Sequence, residues 1–199
     1  MPNTHHSRRL FLSRAARLAV AGAVLPLAKP ALASLPNARS LDFDHTHTGE
    51  RVSVVFAVGH HYVPDALLTL NRFLRDHYSG EIGSIDPQLF DLLFKTRQEL
   101  GTDQVFQVIS GYRCAATNSH LRNSRGGGVA RQSLHMHGKA IDIRIPGIPL
   151  SDLRDAAKSL SAGGVGFYPR DKFVHVDTGK VRYWQAPAPG PPLRPAGDR

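Results

Sequence analysis

The stretch from Gln132 to Ile145, QSLHMHGKAIDIRI, concentrates side chains that can bind a metal ion or move a proton. It contains two histidines and an aspartate, and it ends in alternating apolar residues typical of a β-strand. A strand turns alternate residues to the same face, so Asp142 shares a face with Ala140. A carboxylate on an inner face needs a partner, because a buried unpaired charge is costly. A metal ion is one such partner, and Arg144 is another.

A second stretch, FVHVD, carries His175 and Asp177 on one face of a predicted strand. With Asp142, and with His135 just before a turn at Gly138, it offers two histidines and a carboxylate. Zinc accepts such a set of three in tetrahedral geometry and leaves one position open for water. A hydrolase needs that position, because zinc lowers the pKa of water towards about 7 and polarises a carbonyl. Spacing alone leaves a surface histidine at a turn and an aspartate–arginine pair as alternatives.

Three segments resemble the D-Ala-D-Ala metallopeptidase group, whose wider superfamily includes lysostaphin and hedgehog domains. Residues 133–142, SLHMHGKAID, match the pattern S-x-H-x-x-G-x-A-x-D. The upstream segment VISGYRCAATN, from Val108, and the closing segment GGVGFYPRDKFVHVDTGKVRYW, from Gly163, are similar to the same group. In this order behind an export signal, the segments resemble periplasmic zinc murein endopeptidases of the K type, over roughly residues 41–184.

The resemblance implies that His135, Asp142 and His175 bind zinc and that Arg113 lies on the substrate side. A guanidinium there can bind a peptide carboxylate or stabilise the developing oxyanion, and a structural ion pair is the alternative for Arg113. The implied reaction is hydrolysis of stem-peptide amide bonds next to D-Ala or diaminopimelate in peptidoglycan cross-links. The sequence does not choose between the 4-3 cross-link (D-Ala to diaminopimelate) and the 3-3 cross-link (diaminopimelate to diaminopimelate).

The chain departs from the resemblance at the general base. Many relatives carry a glutamate or a histidine two or three residues before the last ligand, where this chain has phenylalanine and lysine. We therefore predict Asp177 as the catalytic base, with Asp171 second and His137 third. Asp177 is equally suited to orient His175 from outside the ligand set.

A function of another class stays open, namely a non-catalytic peptidoglycan-binding module with a structural zinc ion. A structural site is closed by four protein ligands. His137 or Asp177 would then also bind the metal. Three protein ligands with an open position would instead favour the enzyme.

The first 33 residues are typical of an export signal. The segment SRRLFL, from Ser7, is a twin-arginine pattern, and the apolar stretch 18–28 is far shorter than the about twenty residues that span a bilayer. Ala31-Leu32-Ala33 is a small-residue cleavage site. We predict export of the folded protein to the periplasm by the twin-arginine (Tat) machinery, with cleavage after Ala33.

Charge and composition limit the classes of binding partner that the chain is expected to have. The formal net charge is +9 over 199 residues, but the first 33 residues carry five of the positive charges and no acid, which leaves +4. The remainder has no clustered basic stripe, so we expect no nucleic-acid partner, and a mildly basic surface suits an anionic polymer such as cell wall. Cys114 stands alone, so a disulfide within the chain is impossible. We expect a monomer without a membrane span after signal cleavage.

The elements that must position these residues alternate between strands and helices. Apolar and polar residues alternate on both sides of Thr48-Gly49, which predicts a hairpin. Asp86-Pro87 predicts the start of a helix that ends at Gly101. Short strands are predicted near residues 105–110 and 139–145 and three times in 165–184. Together they predict a single α+β domain over 34–184, with helices packed on a mostly antiparallel central sheet, of the hedgehog and D-Ala-D-Ala metallopeptidase type. A Pro-rich tail, 185–199, is predicted to be disordered.

Overall fold

The structure is a computed structural model that describes residues 35–124 and 129–186. The predicted export signal, its cleavage site and the part of the predicted tail from 187 onward lie outside these residues. Gln185 belongs to the last strand, and the amide of Ala186 donates to the carbonyl of Phe167 at 2.9 Å. The folded domain therefore continues two residues past the boundary predicted at 184.

The described residues form one sheet, four α-helices and a short 3₁₀ helix. The strands are β1 (Ala38–His45), β2 (Arg51–Val58), β3 (His61–Tyr62), β4 (Phe106–Ser110), β5 (Ala140–Arg144), β6 (Gly164–Tyr168), β7 (Phe173–Asp177) and β8 (Arg182–Gln185). The helices are α1 (Pro64–Phe73), α2 (Pro87–Glu99), α3 (Ala115–Ser124) and α4 (Leu150–Ser159), and the 3₁₀ helix is Leu134–His137.

The strands lie in the order β3-β2-β1-β4-β5-β7-β6-β8. Only the pairs β1–β4 and β6–β8 are parallel, and the other neighbours are antiparallel. The predicted α+β class with a mostly antiparallel central sheet is therefore confirmed. In the described part of the chain, no helix has the length and apolarity that crossing a membrane requires.

Local sequence signals explain where several elements begin and end. Gly49 turns the β1–β2 hairpin with a φ of 70°, in the left-handed region that glycine tolerates. The side chain of Asp86 accepts a hydrogen bond from the amide of Gln88 and so caps α2, with Pro87 in the first turn. Gly101, with a φ of 59°, follows the end of that helix. The predicted hairpin and both predicted ends of α2 are present.

The apolar core packs against one face of the sheet and leaves the opposite face available for functional residues. On β5 and β7, Ile141, Ile143, Val174 and Val176 are fully buried in the main apolar cluster, which also takes in residues of α1, α2 and α4. Because side chains alternate along a strand, the residues between these four point to the opposite face. That opposite face carries the polar residues of the candidate site.

Candidate metal centre and active site

Three elements bring the predicted zinc ligands together. β5 and β7 pair antiparallel with Asp142 directly opposite His175. His135 comes from the 3₁₀ helix, which Gly138 ends with a φ of 63°. A Cβ at Gly138 would overlap the carbonyl oxygen of Ser84, so glycine is required there both for its φ and for the close approach.

Asp86 ties this ligand-bearing turn to two other elements. Its amide donates to the carbonyl of Gly138 at 2.9 Å, and its carboxylate accepts from the hydroxyl of Thr178 at 2.8 Å. Thr178 is the residue directly after β7, and Asp86 is the cap of α2. We call these contacts the Asp86 junction. It fixes the turn after His135 against the end of the strand that carries His175.

The three side chains converge on one point. Nε2 of His135 lies 3.2 Å from Nδ1 of His175 and 3.3 Å from Oδ1 of Asp142. Nδ1 of His175 lies 2.8 Å from the same Oδ1. Zinc bonds of about 2.0–2.1 Å in a tetrahedron place neighbouring ligand atoms about 3.3 Å apart. In the described part of the chain this is the one group of three or more such side chains whose ligand atoms converge closely enough to hold a metal ion.

The outer nitrogen of each histidine shows which atom is left for the metal. Nδ1 of His135 lies 2.7 Å from the carbonyl oxygen of Gly111, so this nitrogen donates its hydrogen. Nε2 of His175 lies 3.1 Å from the carboxylate of Asp177, so it also donates outward. In the neutral rings, the two inner nitrogens then face each other with lone pairs at 3.2 Å. A cation between them, a metal ion or a proton on His175, relieves that repulsion, so the donor set fits zinc.

Burial and neighbouring charges act in opposite directions in the site. All three side chains are buried, with exposed fractions of 3 %, 6 % and 8 % for His135, Asp142 and His175. Burial alone would raise the pKa of Asp142, but the charge and hydrogen bonds of the two histidines hold that pKa well below its usual range. Burial lowers the pKa of His135 and outweighs the attraction of Asp142. Asp142 is therefore held as a carboxylate, the form that binds a metal.

Arg113 lies beside Asp142, one of the three predicted ligands. Its Nη2 is 3.7 Å from Oδ2 of Asp142 and donates to the hydroxyl of Ser110 at 3.2 Å. Its backbone amide donates to the carbonyl of His135 at 3.2 Å. The structure thus contains the structural ion pair that the sequence left open. A contact between Arg113 and substrate stays a prediction.

Asp177 lies on the far side of the His175 ring from the convergent atoms. Its carboxylate contacts Nε2 of His175, on the side of the ring away from the metal-facing Nδ1, and its side chain is fully buried. It also accepts two hydrogen bonds from the guanidinium of Arg182, at 2.7 and 3.0 Å, and one each from the amides of Gly164 and Gly179. This geometry favours the orientation of His175, and the role of Asp177 as catalytic base stays a prediction.

The other two candidate bases are exposed. Asp171 lies in the turn between β6 and β7, and His137 is the last residue of the 3₁₀ helix, with its side chain outside the convergent group. Phe173, where the sequence departs from the resemblance, stacks on Tyr168 with ring centroids 4.5 Å apart. Its side chain is thus structural.

Two aromatic residues that the sequence reasoning missed form a wall of the site. The ring of Trp184 lies 5.2 Å from that of His175 and packs over Gly166, where a Cβ would come within 2.5 Å of the indole. The indole N–H donates to the hydroxyl of Tyr168 at 2.9 Å. Gly166 faces His175 across β6–β7 and Trp184 across β6–β8. The wall becomes visible only when the register of these three strands is known. The sequence signal for it is faint, namely a glycine two residues before a tyrosine.

Comparisons with known proteins give one family and a consistent set of relatives. Residues 33–184 match the family model described as peptidoglycan L,D-endopeptidase MepK. The chain is 47 % identical over 167 residues to the peptidoglycan L,D-endopeptidase MepK of Escherichia coli (strain K12), covering 84 % of this chain and 91 % of that protein. It is 40 % identical over 169 residues to the probable peptidoglycan L,D-endopeptidase MepK of Haemophilus influenzae, covering 84 % and 90 %.

Proposed function

The chain belongs to the peptidoglycan L,D-endopeptidase MepK family, and on that premise we propose that it hydrolyses peptide cross-links of peptidoglycan. The observation that carries the proposal is the convergence of His135, Asp142 and His175 within 3.3 Å of one another. Two buried histidines and a carboxylate with their lone pairs directed at one point form a three-ligand zinc site.

The stereochemistry in the relatives' name supports one of the two cross-links. An L,D-endopeptidase cuts an amide whose carbonyl comes from an L centre and whose nitrogen comes from a D centre. The bond from D-Ala to diaminopimelate in a 4-3 cross-link joins two D centres. The bond between two diaminopimelates in a 3-3 cross-link joins an L centre to a D centre. We therefore propose the 3-3 cross-link as the substrate.

The proposed roles follow from the contacts. His135, Asp142 and His175 would hold zinc, which when bound polarises the scissile carbonyl and lowers the pKa of water. Asp177 keeps the Nε2 hydrogen of His175 directed outward, so that Nδ1 presents its lone pair. Arg113 pairs with the outer oxygen of Asp142 and helps keep it ionised. The remaining candidate bases are Asp171 and His137, which Asp171→Asn and His137→Ala would separate.

The wall-binding alternative would need a fourth protein ligand. Asp177 contacts the far nitrogen of His175, and His137 is exposed and outside the convergent group. The donor set therefore favours a centre with a position open to water and substrate. We also propose that the protein acts in the periplasm after export by the Tat machinery, on the basis of the twin-arginine pattern and the predicted cleavage after Ala33.

Digestion of purified muropeptide dimers tests the function. The mature protein loaded with zinc should convert 3-3 dimers to monomers, and prolonged incubation with a chelator should abolish this until zinc is restored. Cleavage of 4-3 dimers alone would overturn the proposed bond. Binding to isolated peptidoglycan without cleavage of either dimer would instead support the wall-binding module.

A further inference from the structure

The hydrogen bond between Trp184 and Tyr168 can run in one direction only, and neither residue belongs to the predicted ligand set. An indole N–H can only donate, so the hydroxyl oxygen of Tyr168 is the acceptor of the 2.9 Å bond. The hydroxyl hydrogen of Tyr168 must then point elsewhere. Within residues 35–124 and 129–186, Trp184 is the one side chain that hydrogen-bonds this hydroxyl, so no acceptor among these residues takes its hydrogen.

The ring of Tyr168 is held in place on two sides. Phe173 stacks against it with an interplanar angle of 17°, and Trp184 holds its oxygen. Trp184 is itself fixed over Gly166 and against His175. A donor whose position is fixed before the reaction needs no reorganisation when charge develops, which is what makes such donors effective.

The surroundings of Tyr168 keep its hydroxyl protonated. Burial is the largest cause of the raised pKa of Tyr168, and the carboxylate of Asp142 raises it further while Arg113 lowers it. Tyr168 stands two residues beyond Gly166, the cross-strand partner of His175, and therefore on the same face of β6. The phenol is thus a neutral donor at the edge of the site.

Resting on the proposed function, we propose that Tyr168 is a catalytic residue that donates a hydrogen bond to the scissile carbonyl oxygen as negative charge grows on it. Trp184 is the positioning residue that holds this donor. No proton leaves Tyr168 in the step. Water adds to the carbonyl carbon and gives its proton to the base, the C–N bond then breaks, and the amine leaves with a proton.

Tyr168→Phe removes the donor and keeps the ring. Loss of one such donor typically lowers kcat about 10²–10³-fold. We expect kcat on 3-3 dimers to fall by about a hundredfold, with KM and bound zinc unchanged. Tyr183→Phe is the matched control, because Tyr183 neighbours Trp184 on β8, is 45 % exposed and bonds the carbonyl of Lys158, away from the ligands. It should cleave as the wild type does.

A binding measurement separates this inference from the proposed function. A diaminopimelyl phosphinate dipeptide, a mimic of the tetrahedral adduct of water and the amide carbonyl, is titrated into zinc-loaded protein by calorimetry. Tyr168→Phe should weaken its binding by about a hundredfold, while Tyr183→Phe leaves it unchanged. If the wild type cleaves no dimer, the proposed function fails. The role of Tyr168 is then decided by the difference in phosphinate binding between the wild type and Tyr168→Phe.

Several outcomes would overturn the inference. These are an unchanged kcat with unchanged phosphinate binding, a raised KM at constant kcat, and a loss of zinc by the folded Tyr168→Phe variant. Trp184→Phe keeps an aromatic wall without the N–H and should lower kcat severalfold at constant KM. If Tyr168→Phe does not fold, an unchanged kcat in Trp184→Phe would refute the inference.

Discussion

Replacing Asp177 with asparagine distinguishes an orienting carboxylate from a base. All of its partners are donors, namely Nε2 of His175, the guanidinium of Arg182 and the amides of Gly164 and Gly179. An asparagine in either orientation therefore directs its NH₂ group at other donors. In one orientation His175 loses its acceptor, and in the other the amides of Gly164 and Gly179 lose theirs. Removal of such an outer partner typically costs about 10–100-fold in metal affinity, which is about 1.4–2.7 kcal/mol.

The measurement is a zinc titration in competition with a chromophoric chelator. We expect the zinc Kd of Asp177→Asn to rise by about 10–100-fold, and excess zinc to restore most of the cleavage of 3-3 dimers. Asp171→Asn, at an exposed turn, is the control and should bind zinc normally. If Asp177→Asn binds zinc as tightly as the wild type and yet loses about a hundredfold or more in cleavage, our argument from geometry is refuted and Asp177 is the base.

Three further predictions concern the metal ligands, the pair His45 and His77, and export. Asp142→Asn should lose zinc, and metal analysis that still finds one ion per chain would exclude Asp142 as a ligand. Burial and histidine neighbours lower the pKa values of His45 and His77 to about 4, so the unfolded chain binds protons first as the pH falls. The free energy of unfolding should therefore decrease from about pH 6.5 towards about pH 4, and His77→Gln should flatten this decrease, as denaturant titrations at each pH would show. Exchanging Arg8 and Arg9 for lysines should stop export, and mature protein in a periplasmic extract of the variant would disprove the Tat prediction.

Local patterns predicted most of the fold because each involves residues that are close in sequence. The hairpin at Thr48-Gly49 and the helix start at Asp86-Pro87 depend on the φ angles and hydrogen bonds of a few neighbouring residues. These features need no knowledge of how distant strands pair.

The role of Asp177 could not be read from the sequence, because it depends on which ring nitrogen of His175 faces inward. Alternation along β7 correctly places both side chains on one face, but it does not give the rotation of the imidazole ring. That rotation follows from the pairing of His175 with Asp142 on β5 and from the anchoring of Asp177 by Arg182. The wall formed by Trp184 depends in the same way on the register of three strands.

The Asp86 junction has a consequence for how fast a bound metal ion can leave. One residue holds the start of a helix, the turn after His135 and the end of the strand that carries His175, so none of these can fray alone. Local opening in proteins spans free energies from near zero up to that of global unfolding, and we expect these linked elements to lie towards the upper end. We expect the amide hydrogens of Asp86 and Thr178 to exchange with solvent only as slowly as the most protected core amides. Loss of a bound metal ion would then require unfolding of the whole domain, and the protein would keep the ion for as long as it stays folded.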